Sequence, residues 1–376
     1  MDVVTLSHDG ARWSGDRPRH LDSAATAVIV FGAPGLRDRD DVFAELAAAF
    51  PTSCVIGCSS AGEIHGDTLR DGSLTVAVVR FARTALRAAE APVAGPADSR
   101  AAGALIAADL AGPGLRAVFV LSDGLAVNGS ELAAGLAGAL PADVQVTGGL
   151  AADGDRFAST WVLSGGRPRT GIVSAIGLYG PHVGVGHGSR GGWEKFGPER
   201  TVTRSHGNVL YELDGRPALA LYKEYLGRRA DGLPATGPLF PLEVRLGDGA
   251  ALVRTILGVD EDAQSLTFAG DLPTGARAQL MRANLDRLVD GSEQAASGAA
   301  AAHAPGAPVL AIGISCVGRR LVLGEFCEDE VEASLAVLPA GSTQVGFYSY
   351  GEIAPAGGGT CDLHNQTMTI TTLSEA

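Results

Sequence analysis

The sequence predicts an α/β protein of two related halves with mixed sheets, and three observations predict it. Short, continuously apolar strand-like runs alternate with stretches of helical spacing, the order that builds layered α/β architectures. Hydrophobic residues make up 46% of the 376-residue chain and charged residues 19%, the balance of a folded protein with a sizeable core. One pattern, G-x-x-S-x-G-E-I, occurs twice, as Gly57-Cys58-Ser59-Ser60-Ala61-Gly62-Glu63-Ile64 and as Gly346-Phe347-Tyr348-Ser349-Tyr350-Gly351-Glu352-Ile353, 289 residues apart. Each copy follows a strand-like run. Its small and polar residues let the chain turn sharply and present backbone N–H groups, which is how a pocket wall is made.

Residues 1–24 show no clear period and read as a tail or an added edge strand. A buried strand at 28–32 leads through a Pro-Gly turn into a helix that starts near 37–41, carries Val42, Phe43, Leu46 and Phe50 on one face, and stops at Pro51. Residues 54–58 form a second buried strand that enters the first copy of the repeated turn, and 74–81 alternate as an antiparallel strand. The order then repeats: strand 117–121, a polar loop at Ser122-Asp123-Gly124, helix 130–140 closed by Pro141, and strand 144–147 running into Gly148-Gly149-Leu150-Ala151-Ala152-Asp153. Residues 157–163, 171–178 and 183–187 read as a meander of strands between Gly and Pro turns. A strand at 208–213 ends in the turn Asp214-Gly215, and Arg216-Pro217 opens a helix over 218–226. The domain boundary is placed at this turn, giving one domain over 25–215 and another over 216–376.

In the second half, strands fall near Val244, over 251–259 and over 265–268. A long helix is expected from about Gly275, with Leu280, Ala283, Asn284, Arg287 and Leu288 as a mixed stripe. The Ala-rich stretch 295–302 continues that helix or forms a flexible linker. Strand 309–316, helix 328–338, strand 344–347 and an alternating Thr-rich strand at 366–373 complete the chain. The C-terminal block thus repeats the order of the N-terminal block, and the two equivalent turns are expected to face one cleft.

A formal net charge of -13 and a pI near 5.0 disfavour nucleic acid and anionic lipid as partners. The start lacks a basic, continuously apolar leader and no long apolar run follows, so the expectation is a cytoplasmic protein without membrane insertion. Five cysteines, an odd number, in a chain with its own core are expected to be reduced thiols.

The runs 55–64, 148–153, Phe196-Gly197-Pro198 and 208–215 resemble the N-terminal FIST domain. Ser315-Cys316-Val317-Gly318-Arg319-Arg320, the turn 346–353 and Asp362-Leu363-His364-Asn365-Gln366-Thr367 resemble its C-terminal partner. The resemblance covers nearly the whole chain. It implies an intracellular sensory module of signal transduction that binds a small ligand, with amino acids and their derivatives as the class. Relatives often carry kinase, chemotaxis or F-box modules beside the sensor. With no residues left over for one here, the output is expected through a separate protein such as a histidine kinase or a chemotaxis component. Some relatives are described as haem-binding nitric oxide sensors, so haem on His364 or His206 is the alternative to a chain without a cofactor.

Two chemistries compete with binding. A nucleophile at Cys58, Ser59 or Ser60 would give a hydrolase or acyl transferase, but an elbow requires a helix directly after the nucleophile, and Gly62-Glu63-Ile64-His65-Gly66-Asp67 has no helical pattern. A zinc site drawn from Cys54, Cys58, Cys361 and His364 lacks two close pairs on short knuckles. The expected ligand-binding set is therefore Cys58, Ser59, Ser60, Gly62, Glu63, Asp123, Gly148, Gly149 and Asp153 from the first half. From the second half it takes Ser349, Gly351, Glu352, Asp362, His364 and Asn365. No catalytic residue and no metal ligand is expected. Glu63 and Glu352 have two readings, as acceptors of backbone N–H bonds within their own hairpins or as partners of a ligand cation.

Overall fold

Three six-stranded sheets enclose one core, and each is laid down by the same chain path. The computed structural model describes residues 1–245, 247, 249, 251–356 and 361–376. The first unit runs β1 (Asp2–His8), β2 (Thr26–Gly32), α1 (Asp40–Ala49), β3 (Cys54–Ser59), β4 (Glu63–His65), β5 (Thr68–Arg70) and β6 (Leu74–Arg80). The second runs β7 (Ala85–Pro92), α2 (Ser99–Leu110), β8 (Leu115–Ser122), α3 (Gly129–Ala139), β9 (Gln145–Leu150), β10 (Val162–Ser164), β11 (Arg167–Arg169) and β12 (Ile172–Tyr179). The third opens with β13 (Val183–Arg190) and is interrupted by an inserted segment. That segment holds β14 (Glu194–His206), β15 (Val209–Leu213), β16 (Arg216–Pro217), α4 (Ala218–Leu226), β17 (Leu242–Arg245), β18 (Leu252–Arg254), β19 (Ile256–Asp260), β20 (Ser265–Phe268) and β21 (Arg277–Arg282). The third unit resumes with α5 (Leu285–Ala300), β22 (Leu310–Cys316), α6 (Val317–Leu323), α7 (Cys327–Ala336), β23 (Thr343–Ser349), β24 (Gly351–Pro355), β25 (Cys361–His364) and β26 (Met368–Glu375).

In each unit a parallel pair (β2–β3, β8–β9, β22–β23) is bordered by an antiparallel strand (β6, β12, β26) and then by an edge strand (β1, β7, β13). The hairpin that follows each parallel pair leaves its own sheet. β4–β5 joins the third sheet at β23, β10–β11 joins the first at β3, and β24–β25 joins the second at β9. The exchange is cyclic, so every unit is held by the next.

The central strands are buried on both faces, which is why they read as continuous apolar runs. Alternate residues (Ile29, Phe31, Phe119, Ile176, Ile312, Phe347) meet in the shared core, where the rings of Phe31 and Phe347 stack with centroids 4.6 Å apart. The intervening residues lie under helices, with Val28, Val30 and Val76 beneath α1 and Ala311 and Ile370 beneath α5.

The repeat seen twice in the sequence occurs three times in the structure. Gly57, Gly148 and Gly346 occupy the same register, opposite Val30, Val120 and Gly313, and a Cβ at any of the three would collide with that partner's carbonyl oxygen. The segment 148–154 is the middle copy of the turn, with Ala151, Asp153 and Gly154 where the others have serine, glycine and glutamate.

Other expectations shift locally. The helix expected from Gly275 begins ten residues later, because Leu280 belongs to β21, in register with Phe196 and Leu242, and Asn284 caps α5 by accepting from the Arg287 N–H. The Ala-rich stretch is the end of α5, not a linker, because Ala295, Ala296 and Ala299 are fully buried against the third sheet. Of the strand expected over 157–163 only the end pairs, and Phe157 turns out of line at φ 49. β7 and α2 lie in a stretch to which the pattern assigned nothing. The N-terminal residues form the edge strand β1, paired with β6. The insertion is a single eight-stranded sheet that takes β14 and β15 from before Gly215 and β16–β21 from after it.

Candidate functional site

The three equivalent turns meet at the carboxyl ends of the parallel pairs and bond to one another around a ring. The Ala61 N–H donates to the Tyr348 carbonyl at 2.9 Å, the Ala152 N–H to that of Ser59 at 3.0 Å, and the Tyr350 N–H to that of Leu150 at 3.2 Å. These are corresponding atoms in successive units. The turns therefore serve first to satisfy one another's buried backbone groups.

The acidic residues of the turns close their own units. Glu63 Oε2 accepts from the N–H and the hydroxyl of Ser73, at 3.0 and 2.9 Å, at the entrance to β6. Glu352 Oε2 accepts from the N–H and the hydroxyl of Thr367, at 3.3 and 2.7 Å, at the entrance to β26, and its Oε1 accepts from Ser349 at 2.6 Å. In the middle unit Asp123 takes this part, accepting from the Gly171 N–H at 2.8 Å ahead of β12, from the Leu125 and Ala126 N–H groups, and from the Thr160 hydroxyl. Burial pushes both glutamates up to about 8, against the lowering effect of these donors. Of the two readings of Glu63 and Glu352, the geometry gives the one in which they hold the backbone.

The expected nucleophiles are similarly engaged. Ser59 Oγ accepts from the Trp161 N–H at 3.1 Å, and Ser60 Oγ donates to the Gly62 carbonyl at 2.6 Å. Cys58 faces the core, where burial raises its thiol pKa well above normal. Neither Cys58 nor Ser59 hydrogen-bonds to a base, which general-base activation requires, and Ser60, which also acts on the Glu63 carboxyl, donates its proton to the Gly62 carbonyl.

Two clefts flank the middle turn. One, of about 360 Å³, brings together Ser60, Glu63, Asp71, Asp153, Arg156 and Arg320. There Arg320 reaches the Ala61 carbonyl and makes two bonds of 2.8 and 2.7 Å to the Asp71 carboxylate, and Arg156 donates to the Asp153 carbonyl at 2.8 Å. Asp153 accepts from the Tyr350 hydroxyl and from the N–H groups of Ala158 and Ser159, and these donors lower its pKa despite burial. The second cleft, of about 320 Å³, lies between the three-unit core and the inserted sheet and is lined by Leu125, Val127, Phe157, Thr255, Leu257 and Tyr350 among others, with no charged side chain. Thr255 is 4% exposed and its Oγ1 has no hydrogen-bond partner. At the mouth, Leu125, Phe157 and Leu257 are 39%, 48% and 44% exposed, and the Phe157 ring stacks on Tyr350 at 4.6 Å and 8°. The same Tyr350 hydroxyl that bonds Asp153 thus fixes the wall between the clefts.

The remaining expected residues lie elsewhere. Gly148 and Gly149 are packed in β9, and Gly62 and Gly351 lie against Arg320 and Asn365. Asp362, 3.8 Å from Arg254, borders a cleft beside α3, and His364 borders another beside β13. Asn365 is fully buried with neither amide atom partnered. Sequence reading missed Leu125, Phe157, Thr255, Leu257 and Tyr350. The one signal was Tyr350, standing where the first copy of the turn has Ala61.

A family profile for the FIST N domain matches residues 26–216, and one for the FIST C domain matches residues 218–355. The chain belongs to the FIST family. FIST domains are associated with signal-transduction sensors thought to bind small ligands. A search of curated proteins returned no match. Among solved structures, a cyanuric acid hydrolase from A. caulinodans aligns over 99% of this FIST chain and 98% of its own at 9% identity, with a TM-score of 0.36, too weak a likeness to carry an argument.

Haem, which the resemblance raises for this FIST protein, needs an imidazole facing an apolar slot. His206 is exposed at the end of β14, and the cleft beside His364 is of mixed polarity, with Ser189, Arg190, Gln294 and Thr367 facing Leu252, Val253 and Pro355, not an apolar slot. The described residues at these two positions do not fit the macrocycle. The two candidate zinc pairs are on different sheets, Cys54 and Cys58 on β3 and Cys361 and His364 on β25. Among the described residues no helix is long and apolar enough to cross a membrane.

Proposed function

We propose that this FIST protein is a sensory module that binds a small ligand in the cleft around Thr255 and passes the signal to a separate partner, such as a histidine kinase or a chemotaxis component. The observation that carries the reading is the unpartnered Thr255 hydroxyl, buried at the base of an apolar cleft between the core and the insertion. A buried polar group without a partner costs about 1–3 kcal/mol, which a ligand supplying that bond would recover. Apolar walls with one or two fixed polar groups are the usual make-up of a small-molecule site, and such sites favour domain interfaces.

The lining narrows the amino-acid class. A free amino acid would bring two charges into a cleft with no charged side chain to meet them, at a large desolvation cost. An amino-acid derivative with blocked ends and an apolar or aromatic body avoids that cost and still offers an N–H or C=O to Thr255. Contacts to Thr255 and Leu257 on one side and to Leu125 and Val127 on the other would favour one placement of the insertion on the core, the differential affinity that a sensor needs.

A thermal-shift screen tests this, because a ligand that binds only the folded state raises its stability. N-acetyl amides of leucine, phenylalanine and tryptophan are expected to raise the melting temperature, and the free amino acids are not. Thr255→Val is expected to abolish the shift. No shift with any derivative, or a shift with free amino acids that survives Thr255→Val, would sink the proposal.

A further inference from the structure

We propose that the cleft beside β13, bounded by α5 and β25, binds a small oxyanion through His187, His364 and Arg190. The cleft holds about 480 Å³ and is lined by these three residues with Ser189, Gln294 and Thr367, the insertion's Leu252 and Val253 forming its far wall. In a chain of net charge -13, none of its lining residues is acidic. His187 Nδ1 and His364 Nε2 are both buried and have no hydrogen-bond partner. Two buried ring nitrogens without a partner, on side chains that line one cleft, call for a ligand that engages both.

The charges around the imidazoles decide which ligand. His187 is acted on by His364 and Arg190, and His364 by Arg254, so every charge on them is positive or becomes so on protonation. The nearby carboxylates are turned to other partners. Asp362, two residues from His364, lies 3.8 Å from Arg254, and Glu352 sits behind Thr367, whose hydroxyl it holds at 2.7 Å. A metal cation would meet Arg190 and Arg254 with no anionic ligand to offset them, and no cluster of three or more His, Cys, Asp or Glu ligands occurs among the described residues. An oxyanion supplies the missing countercharge. Burial and the neighbouring positive charges hold both histidines down to about 4, so both are neutral at physiological pH. The bound anion draws one proton from solvent onto an imidazole, which then donates to it as a charge-assisted bond. The other ring and Arg190 complete the contacts.

Succinate and sulfate separate a carboxylate from a tetrahedral oxyanion, and neither titrates near neutral pH. Calorimetric titration of the protein with each, at about pH 7.5 and 6.5 and in two buffers of different ionisation enthalpy, is expected to show binding of at least one. Its affinity should rise about tenfold for each pH unit of acidification, with uptake of one proton. Binding by succinate alone assigns a carboxylate, and binding by sulfate alone a tetrahedral anion. In protein with isotope-labelled histidine, the imidazole resonances of His187 and His364 are expected to shift on addition of the anion, and His364→Phe to abolish binding. The assignment is overturned by no binding of either anion, by an affinity indifferent to pH, or by anion-dependent shifts confined to other histidines.

Discussion

Replacing Glu352 with glutamine tests whether the turn carboxylates hold the fold as buried, largely protonated acids. Glu352 is fully buried and accepts from Thr367 and Ser349, and its carboxyl is raised from 4.5 to about 8 by burial. A carboxyl whose folded value lies above its unfolded one binds more protons in the folded state. Its contribution to stability is complete below the unfolded value and is lost as pH rises through the folded value. Between about pH 6.5 and 8 one such group costs the protein about 1.5 kcal/mol. His187 and His364, held down to about 4, act in the opposite sense, but only below the usual imidazole range, so they leave this window clear. Glutamine keeps the acceptor for Thr367, and the Ser349 hydroxyl, which donates to Glu352, can turn to accept from the new amide. Denaturant unfolding at intervals across the window should show wild type losing stability with rising pH and Glu352→Gln losing about 1.5 kcal/mol less. Parallel pH profiles for the two proteins, or wild-type stability that rises toward pH 8, would refute the reasoning.

Other perturbations read other parts of the account. Arg319 and Glu330 form a fully buried ion pair, bonded at 3.1 and 2.5 Å, in which the arginine also holds the Gly191 and Leu288 carbonyls and the carboxylate also accepts from Ser315 and Tyr348. Arg319→Met should cost about 3–5 kcal/mol in unfolding free energy because it strands the carboxylate, and Arg319→Met with Glu330→Met should recover part of that. Ser59→Ala removes the acceptor of the buried Trp161 N–H and should cost about 1–3 kcal/mol by denaturant titration, without labelling of any serine by an activity probe in the wild type. Thr255→Val removes a hydroxyl that has no partner, so ligand-free stability should be equal or higher in the same assay. Cys58, buried with its thiol pKa raised, should resist thiol reagents in the native protein and react on unfolding.

The architecture was legible where periodicity and packing coincide. Strands buried on both faces, such as β2 and β22, read directly as apolar runs, and the helices over them as amphipathic stretches. The threefold arrangement was harder to read because only its glycine is enforced by the backbone. Gly57, Gly148 and Gly346 face a carbonyl oxygen that leaves no room for Cβ, whereas the serine and glutamate of the turn are replaceable as long as some acceptor closes the unit. In the middle copy Asp123, from a different loop, supplies it. Matching by residue type therefore found two copies of three. The helix expected from Gly275 failed because a strand beside a helix can share its apolar spacing, and only the pairing of Leu280 with Leu242 and Phe196 distinguishes them. The cleft itself was invisible because its walls come from the loop after β8, the end of β22, the middle and third turns and the insertion, far apart in the chain. Thr255 declares itself only through the absence of a partner.

The central claim is the location of the ligand, and methyl chemical shifts report it directly. With leucine and valine methyls labelled, addition of an N-acetyl amide of leucine, phenylalanine or tryptophan that stabilises the protein should move Leu125, Val127, Leu257 and Val317, around the Thr255 cleft. Leu74 and Leu69, near Glu63 and Arg320, should stay unmoved. Shifts centred on Leu69 and Leu74, with the four cleft methyls still, would place the ligand among the charged residues and contradict the account.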